Sequence, residues 1–327
     1  MGRSKRIDRA VLAGLFSLAL AGPAAAVELA VSDDHPKQGQ TIEVTVRDAP
    51  ATSEQPVTVL FNKHHYRLFA TASQRQAMGK QPPLVAMAES NTASDVMPSV
   101  GDDQAGCAAE AIKYRVEQGA AVLSALIAIP ADLAPGTYSL RAGQATKRIV
   151  VVSGHFPVQR LRLRKETAEL KPAPGEAESV ALAKATISPK RMWMGRFTRP
   201  AKARVTAGFG LRRVVNGKLL TDYFHSGIDY AAPLGTPVKA TAPGKVILAA
   251  TGFRLHGNTV CIDHGQGVVS FYIHLQKVLV KPGQIVAAGE TIGKVGQSGR
   301  ASGPHLHFGI YVQEVAANPV YWLSQSF

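Results

Sequence analysis

The stretch Gly299-Arg300-Ala301-Ser302-Gly303-Pro304-His305-Leu306-His307-Phe308-Gly309 decides how the chain is read. After its glycines and proline, residues 305–312 are rich in β-branched, aromatic and aliphatic side chains, which predicts a strand. Side chains two apart on a strand share a face, so His305 and His307 stand side by side while Leu306 turns to the other side. Two imidazoles on one face can hold a metal, or one can ligate while the other moves protons. A pair of surface histidines is the plain alternative, and residues upstream decide between the two.

His225-Ser226-Gly227-Ile228-Asp229 offers an imidazole and a carboxylate four residues apart. Gly227, the β-branched Ile228 and the Ala231-Ala232-Pro233 that follows predict extended structure, where positions i and i+4 again point the same way. With one histidine of the His305/His307 pair, this gives two imidazoles and one carboxylate. Three protein ligands leave the fourth tetrahedral position to water, as a hydrolytic zinc site requires. The mixed nitrogen and oxygen set suits zinc better than magnesium or calcium, with manganese or cobalt as possible substitutes. A further histidine, His274, ends the apolar run Ser270-Phe271-Tyr272-Ile273, with Tyr272 on its face. The ordinary role for such a residue is a core-edge histidine bonded to main chain. Zinc hydrolysis, however, needs a group that takes a proton from water and returns one to the leaving amine. With one of the last pair ligating, two histidines remain for that work.

The rest of the chain reads as β-structure. From 27 to 152, Thr41–Val46, Val57–Phe61, Ala121–Ile129, Gly136–Arg141 and Arg148–Val152 are short strands separated by turn residues, which predicts an antiparallel sandwich of immunoglobulin type. A polar insertion at 71–110 interrupts it, and His64-His65 falls at an expected hairpin tip. A connector spans 153–192. In it Arg160, Arg162 and Arg164 alternate with leucines as one more strand, and Glu176 to Ile187 has the composition of a short helix. Trp193 and Phe197 are expected to pack this connector on the domain at 193–327. There, apolar runs alternate with Ala242-Pro243-Gly244, His264-Gly265, Lys281-Pro282-Gly283 and Ala288-Gly289 turns.

Residues 1–26 have the basic start, apolar run and Ala24-Ala25-Ala26 exit of a secretory signal peptide, which places the mature start at Val27. No cysteine lies near that cut and the leader has no Arg-Arg pair, so general secretion without a lipid or lasting membrane anchor is expected. Taking away Arg3, Lys5, Arg6, Arg9 and Asp8 from the leader leaves 33 basic and 22 acidic residues, net +11. Such a charge draws an exported protein to anionic wall polymers. The basic residues are scattered and no nucleic-acid module is present, so nucleic acid is not an expected partner. Cys107 and Cys261 are expected to stay separate, the second as a small core residue.

In order and spacing, His225-Ser-Gly-Ile-Asp229, Tyr272-Ile-His274-Leu275 and Ser302-Gly-Pro-His305-Leu-His307-Phe308 resemble the motifs of the M23 peptidases, the lysostaphin-like or LytM-like zinc endopeptidases. The resemblance covers roughly residues 193–320 and also takes in Val205 to Arg213, which looks like the family's groove entrance. It implies a LytM-like antiparallel β catalytic domain of duplicated hybrid motif type. It further implies one Zn2+ per chain bound by His225, Asp229 and His307, with His274 and His305 as catalytic histidines. The implied substrate is a peptidoglycan stem peptide or cross-bridge, met in the periplasm or after secretion. The N-terminal part resembles the immunoglobulin-like domain that precedes this catalytic domain in some bacterial members, where it would meet other wall or divisome proteins.

Three other classes fit the residues less well. Ala242-Pro243-Gly244-Lys245-Val246 and Lys281-Pro282-Gly283-Gln284-Ile285 resemble biotinyl or lipoyl carriers, but no lysine sits at a suitable hairpin tip and the histidines would be idle. Gly296-Gln297-Ser298-Gly299 places its second glycine one position early for a nucleophile elbow. A silent, wall-binding or amidase-activating LytM-like factor would lack ligands that this chain keeps. The connector from Glu166 to Lys190 and the 71–110 insertion are candidates for covering the open zinc position, with simple positioning by the first domain as the equal alternative.

Overall fold

The computed structural model describes residues 27–47, 57–71, 122–162, 164, 166 and 169–327. The 1–26 leader, the insertion from residue 72 onward and Cys107 lie outside the described residues.

In chain order the first half contributes β1 (Glu28–Val31), β2 (Thr41–Arg47), β3 (Thr58–Phe61), β4 (His64–Arg67), β5 (Phe69–Ala70), β6 (Leu123–Ala128), β7 (Gly136–Ala142) and β8 (Ala145–Val151). These form two four-stranded antiparallel sheets, ordered β1-β2-β6-β5 and β4-β3-β7-β8. Alternation along β2 buries Ile42, Val44 and Val46, and β3 buries Val59 and Phe61. With Ile127, Leu140 and Ile149 these side chains make one core shared by both sheets. Asn62 and Lys63 both have positive φ between β3 and β4, the geometry that suits a tight hairpin to the right-handed strand twist. His64 and His65 open β4 directly after that turn, at the expected tip.

The connector supplies β9 (Val158–Leu161) and α1 (Glu176–Lys184). β9 is shorter than expected. It pairs in parallel with β11 (Arg212–Val215), and where β11 ends the chain reverses at Asn216 and Gly217, both at positive φ. Among the described residues no partner strand runs on beside Arg162 and Arg164, and the strand stops at Leu161. α1 lies where the composition placed it. Its Val180 and Ala183 pack with Cys261, Val269, Phe271 and Tyr311 on the second half, and Lys184 Nζ sits 4.5 Å from the Tyr311 ring centre.

The second half adds β10 (Arg204–Ala207), β12 (Lys218–Phe224), β13 (Gly227–Ala231), β14 (Pro237–Lys239), β15 (Gly244–Ala250) and β16 (Asn258–Asp263). It continues with β17 (Val268–Val278), β18 (Ile285–Val286), β19 (Thr291–Val295), β20 (His305–Val312), β21 (Val315–Ala317) and α2 (Pro319–Ser324). Most join one ten-stranded sheet whose spine runs β10-β13-β20-β17-β16-β15-β18. The middle strands are buried on both faces, which explains the near-continuous apolar runs of β16 and β17. Asn318 caps α2 by accepting from the Val320 N–H, with Pro319 at the first helical position. The helix drops Trp322 against Trp193 and Phe197, ring centres 6.0 and 4.9 Å away. Trp193 and Phe197 are thus buried in the core of the second half, and Arg191 at the end of the connector lies over the Trp193 ring at 4.2 Å. Cys261 is a free, fully buried thiol in the cluster beneath α1. No helix among the described residues is long and apolar enough to cross a membrane.

Candidate metal centre

Strand register brings the sequence motifs together. In the antiparallel pair β13·β20, Asp229 stands opposite His307 and Ala231 opposite His305. Directly opposed residues share a face, so Asp229 and His307 become neighbours and His305 lies two places along the same face. β17 flanks β20 on its other side, with Ile273 opposite His307, and delivers His274. His225 departs from expectation: β13 begins only at Gly227, so this histidine lies ahead of the strand. Its main chain is fixed instead by bonds from its N–H to Leu211 O and from the Gly210 N–H to its own carbonyl. Gly227 is required here. A Cβ at that position would lie 2.2 Å from Phe308 O and 2.8 Å from His307 Nε2.

Three ligand atoms converge. His225 Nε2 is 3.0 Å from Asp229 Oδ1 and 2.9 Å from His307 Nδ1, and His307 Nδ1 is 2.9 Å from Asp229 Oδ1. All three residues are buried. The Nδ1–H of His225 is taken up by the Gly208 carbonyl at 2.7 Å, so a neutral ring turns its Nε2 lone pair toward the carboxylate oxygen. In that tautomer a cation held between the ring nitrogens and the carboxylate oxygen would satisfy all three atoms, and the three could hold a metal ion. The donor set, two imidazole nitrogens and one carboxylate oxygen, fits a zinc ion.

The surroundings support the carboxylate. Arg213 Nη2 lies 3.6 Å from Asp229 Oδ2, while Arg213 Nη1 donates to the Tyr223 hydroxyl at 2.8 Å. Burial alone would raise the Asp229 pKa, but the imidazoles of His225 and His307 outweigh it and hold the carboxyl well below its usual range. Burial, helped by His305 and His307, lowers His274 to about 3, a neutral imidazole.

His274 and His305 stand beside the triad, with ring centres 4.8 Å apart. His274 Nδ1 bonds the Ser298 carbonyl at 2.8 Å, and His305 Nδ1 bonds the Gly303 carbonyl at the same distance. Both are thus histidines bonded to main chain that also face the site. His305 Nε2 lies 3.9 Å from Asp229 Oδ1. His274 adopts φ +63, a left-handed conformation rare for a non-glycine residue and typical of positions held by function or surrounding structure. The bond from its N–H to the His256 carbonyl helps hold it there.

These residues line a groove of about 390 Å³. Sequence reasoning missed several others that share it: Arg213, Tyr223, His256, Lys184 and Arg300. Tyr223 had a local signal, standing two residues before His225, and Arg213 lay in the stretch matched to a groove entrance. His256 and Lys184 had none. Ser298 is structural: its Oγ donates to Leu275 O and accepts from the Asn258 N–H.

Comparison with known proteins agrees with this geometry. Residues 223–319 match the model of peptidase family M23. Over 118 residues the chain is 41% identical to the peptidoglycan DD-endopeptidase ShyC of Vibrio cholerae, covering 36% of this chain and 26% of that protein. Over 117 residues it is 42% identical to the DD-carboxypeptidase/endopeptidase Mpg of Neisseria meningitidis, with 36% and 26% covered. The chain thus spans about a quarter of the length of the curated relatives it matches. A crystal structure described as a peptidase M23 from Pseudomonas aeruginosa superposes with a TM-score of 0.52 at 23% identity, covering 88% of this chain and 94% of the other, and so shares the fold. Register, ligand chemistry and sequence match agree: residues 223–319 of this chain form a peptidase family M23 domain.

Proposed function

We propose that this chain is an exported, zinc-dependent endopeptidase that hydrolyses peptide bonds in peptidoglycan stem peptides or cross-bridges. The observation that carries this reading is the meeting of His225 Nε2, Asp229 Oδ1 and His307 Nδ1 in a groove that also holds His274 and His305. The M23 match and the names of the relatives support the substrate class.

In this reading His225, Asp229 and His307 hold the ion. When bound, zinc supplies Lewis acidity, which makes water a better nucleophile and polarises a carbonyl. His274 keeps its Nδ1 proton on the Ser298 carbonyl, so by hydrogen-bond assignment its Nε2 is the nitrogen free to accept a proton. His305, oriented by Gly303 O in the same way, is placed to support developing negative charge or to return a proton to the leaving nitrogen. Arg213 fixes the carboxylate of Asp229 from the side away from the triad. The two-sheet N-terminal unit, read as immunoglobulin-like, positions the groove on the wall or on a wall-associated partner. Residues 1–26 direct the chain out of the cytoplasm, into the periplasm where there is an outer membrane.

The test is digestion of purified peptidoglycan by the zinc-loaded chain, with the fragments identified by mass. New peptide termini in stem peptides or cross-bridges are expected. Products cut only in the glycan, or no products, would refute the reading.

A further inference from the structure

Glu176 is the first residue of α1, far from the triad in sequence, and its side chain is wholly buried. The carboxylate reaches across to the 251–257 loop between β15 and β16. There it accepts from the N–H groups of Arg254, Leu255 and His256 at 2.8–2.9 Å and from Ala173 in its own connector at 2.7 Å. The ring of His256 adds a fifth bond, Nδ1 to Oε1 at 2.7 Å. Successive main-chain N–H groups closing on one anion form a nest, and here the anion belongs to the protein itself. Burial would raise the pKa of this carboxyl, but the main-chain donors and His256 win and hold it at about 2.

The loop so gripped touches the catalytic elements on its far side. The carbonyl of His256 accepts from the His274 N–H, and the carbonyl of Leu255 accepts from the Arg300 N–H. The His256 ring is itself one wall of the groove, with 28% of its side chain exposed. Because Nδ1–H is committed to Glu176, the neutral ring keeps an acceptor at Nε2. A carboxylate behind a histidine is a common way of fixing which ring nitrogen faces a ligand.

We propose that His256 is a further substrate-contacting residue of the groove and that Glu176 is the connector residue that positions it. Nε2 of His256 accepts a hydrogen bond from an N–H of the bound peptide, outside the bond being cut. This inference rests on the peptidase reading and adds a specificity element to it. It also gives the connector a constructive role: α1 builds part of the groove.

The test uses the full chain loaded with zinc and a purified cross-linked muropeptide dimer as probe. Both turnover and peptide affinity are measured, the second by calorimetry. His256→Asn keeps a donor near the Nδ1 position but loses the acceptor at Nε2, whereas His256→Gln places its amide near Nε2. KM and Kd are expected to rise about tenfold in His256→Asn and to stay within about threefold in His256→Gln, with kcat moving less, as for loss of one uniform binding contact. Glu176→Gln should resemble His256→Asn, add little to it in the double variant, and expose the 254–256 amides to hydrogen exchange at unchanged zinc content. Wild-type affinity in His256→Asn would overturn the contact, and retained affinity and amide protection in Glu176→Gln would overturn the positioning role. A wild-type chain that binds the peptide without cutting it would count against the peptidase reading and still decide the dyad through Kd. A chain that does neither would refute both.

Discussion

The side-chain amide of Gln313 brackets the main chain of Arg67, accepting from its N–H at 2.6 Å and donating to its carbonyl at 3.0 Å. This pair, 246 positions apart in sequence, joins the turn after β20 to the first half of the molecule. Trp322 Nε1–H does the same toward Thr41 Oγ1 at 3.1 Å, and Leu126 and Ala128 of β6 enter the core of the second half. The two halves therefore share both apolar and polar contacts.

Removing either fastening should lower stability measurably. Gln313→Ala strands two main-chain groups and should cost about 1–3 kcal/mol. Trp322→Ala removes a fully buried indole and should cost about 3–5 kcal/mol. Urea unfolding is the check: midpoints should fall at nearly constant slope. Unchanged midpoints would mean that the halves do not depend on these contacts.

Arg213 should tune the metal. It approaches the Asp229 oxygen away from the triad and is itself braced by Tyr223. Loss of such an outer partner usually weakens metal binding by about 10–100-fold. Arg213→Ala should therefore release zinc to a chelator at lower concentration than wild type. Equal chelator midpoints would show that Asp229 needs no such support.

His264 should impose a pH dependence on stability. It is fully buried between the Pro243 carbonyl and Ser270 Oγ, and burial lowers its pKa to about 4. Its unfolded value is about 6.5, so between these values the unfolded chain binds the extra proton. The stability from the neutral ring is present above about pH 6.5 and is lost as pH falls toward 4, a few kcal/mol in all. Between pH 7 and pH 5, His264→Asn should lose less stability than wild type in paired denaturant titrations. Identical slopes would assign the acid sensitivity elsewhere.

The candidate site was largely legible because its spacing is that of strands. His305 and His307 at i and i+2, opposite Asp229 on the neighbouring strand, need only the β periodicity to meet. Other features depend on pairings between distant segments. β9 ends at Leu161 because its partner β11 turns back, and nothing near Arg162 announces that. Glu176 reads as an acidic residue at a helix start, which is favourable in itself. Its contact with the 254–256 amides exists only once α1 has docked. The left-handed backbone of His274 was equally hidden, since the residue falls inside an apolar strand pattern.

Turnover should separate the histidines from one another. His274→Ala and His305→Ala each remove a group placed to handle protons or charge, and losses on the order of a hundredfold or more in kcat are expected. Near-normal kcat in either variant, measured on the muropeptide dimer, would remove that residue from the mechanism.

The most direct measurement is the zinc content of the purified chain and of five alanine variants, determined by elemental analysis after identical loading. The account predicts about one zinc per chain in wild type, His274→Ala and His305→Ala, and almost none in His225→Ala, Asp229→Ala and His307→Ala. Full zinc in His307→Ala together with its loss from His305→Ala would contradict the account, since the ligand would then be the other histidine of the pair.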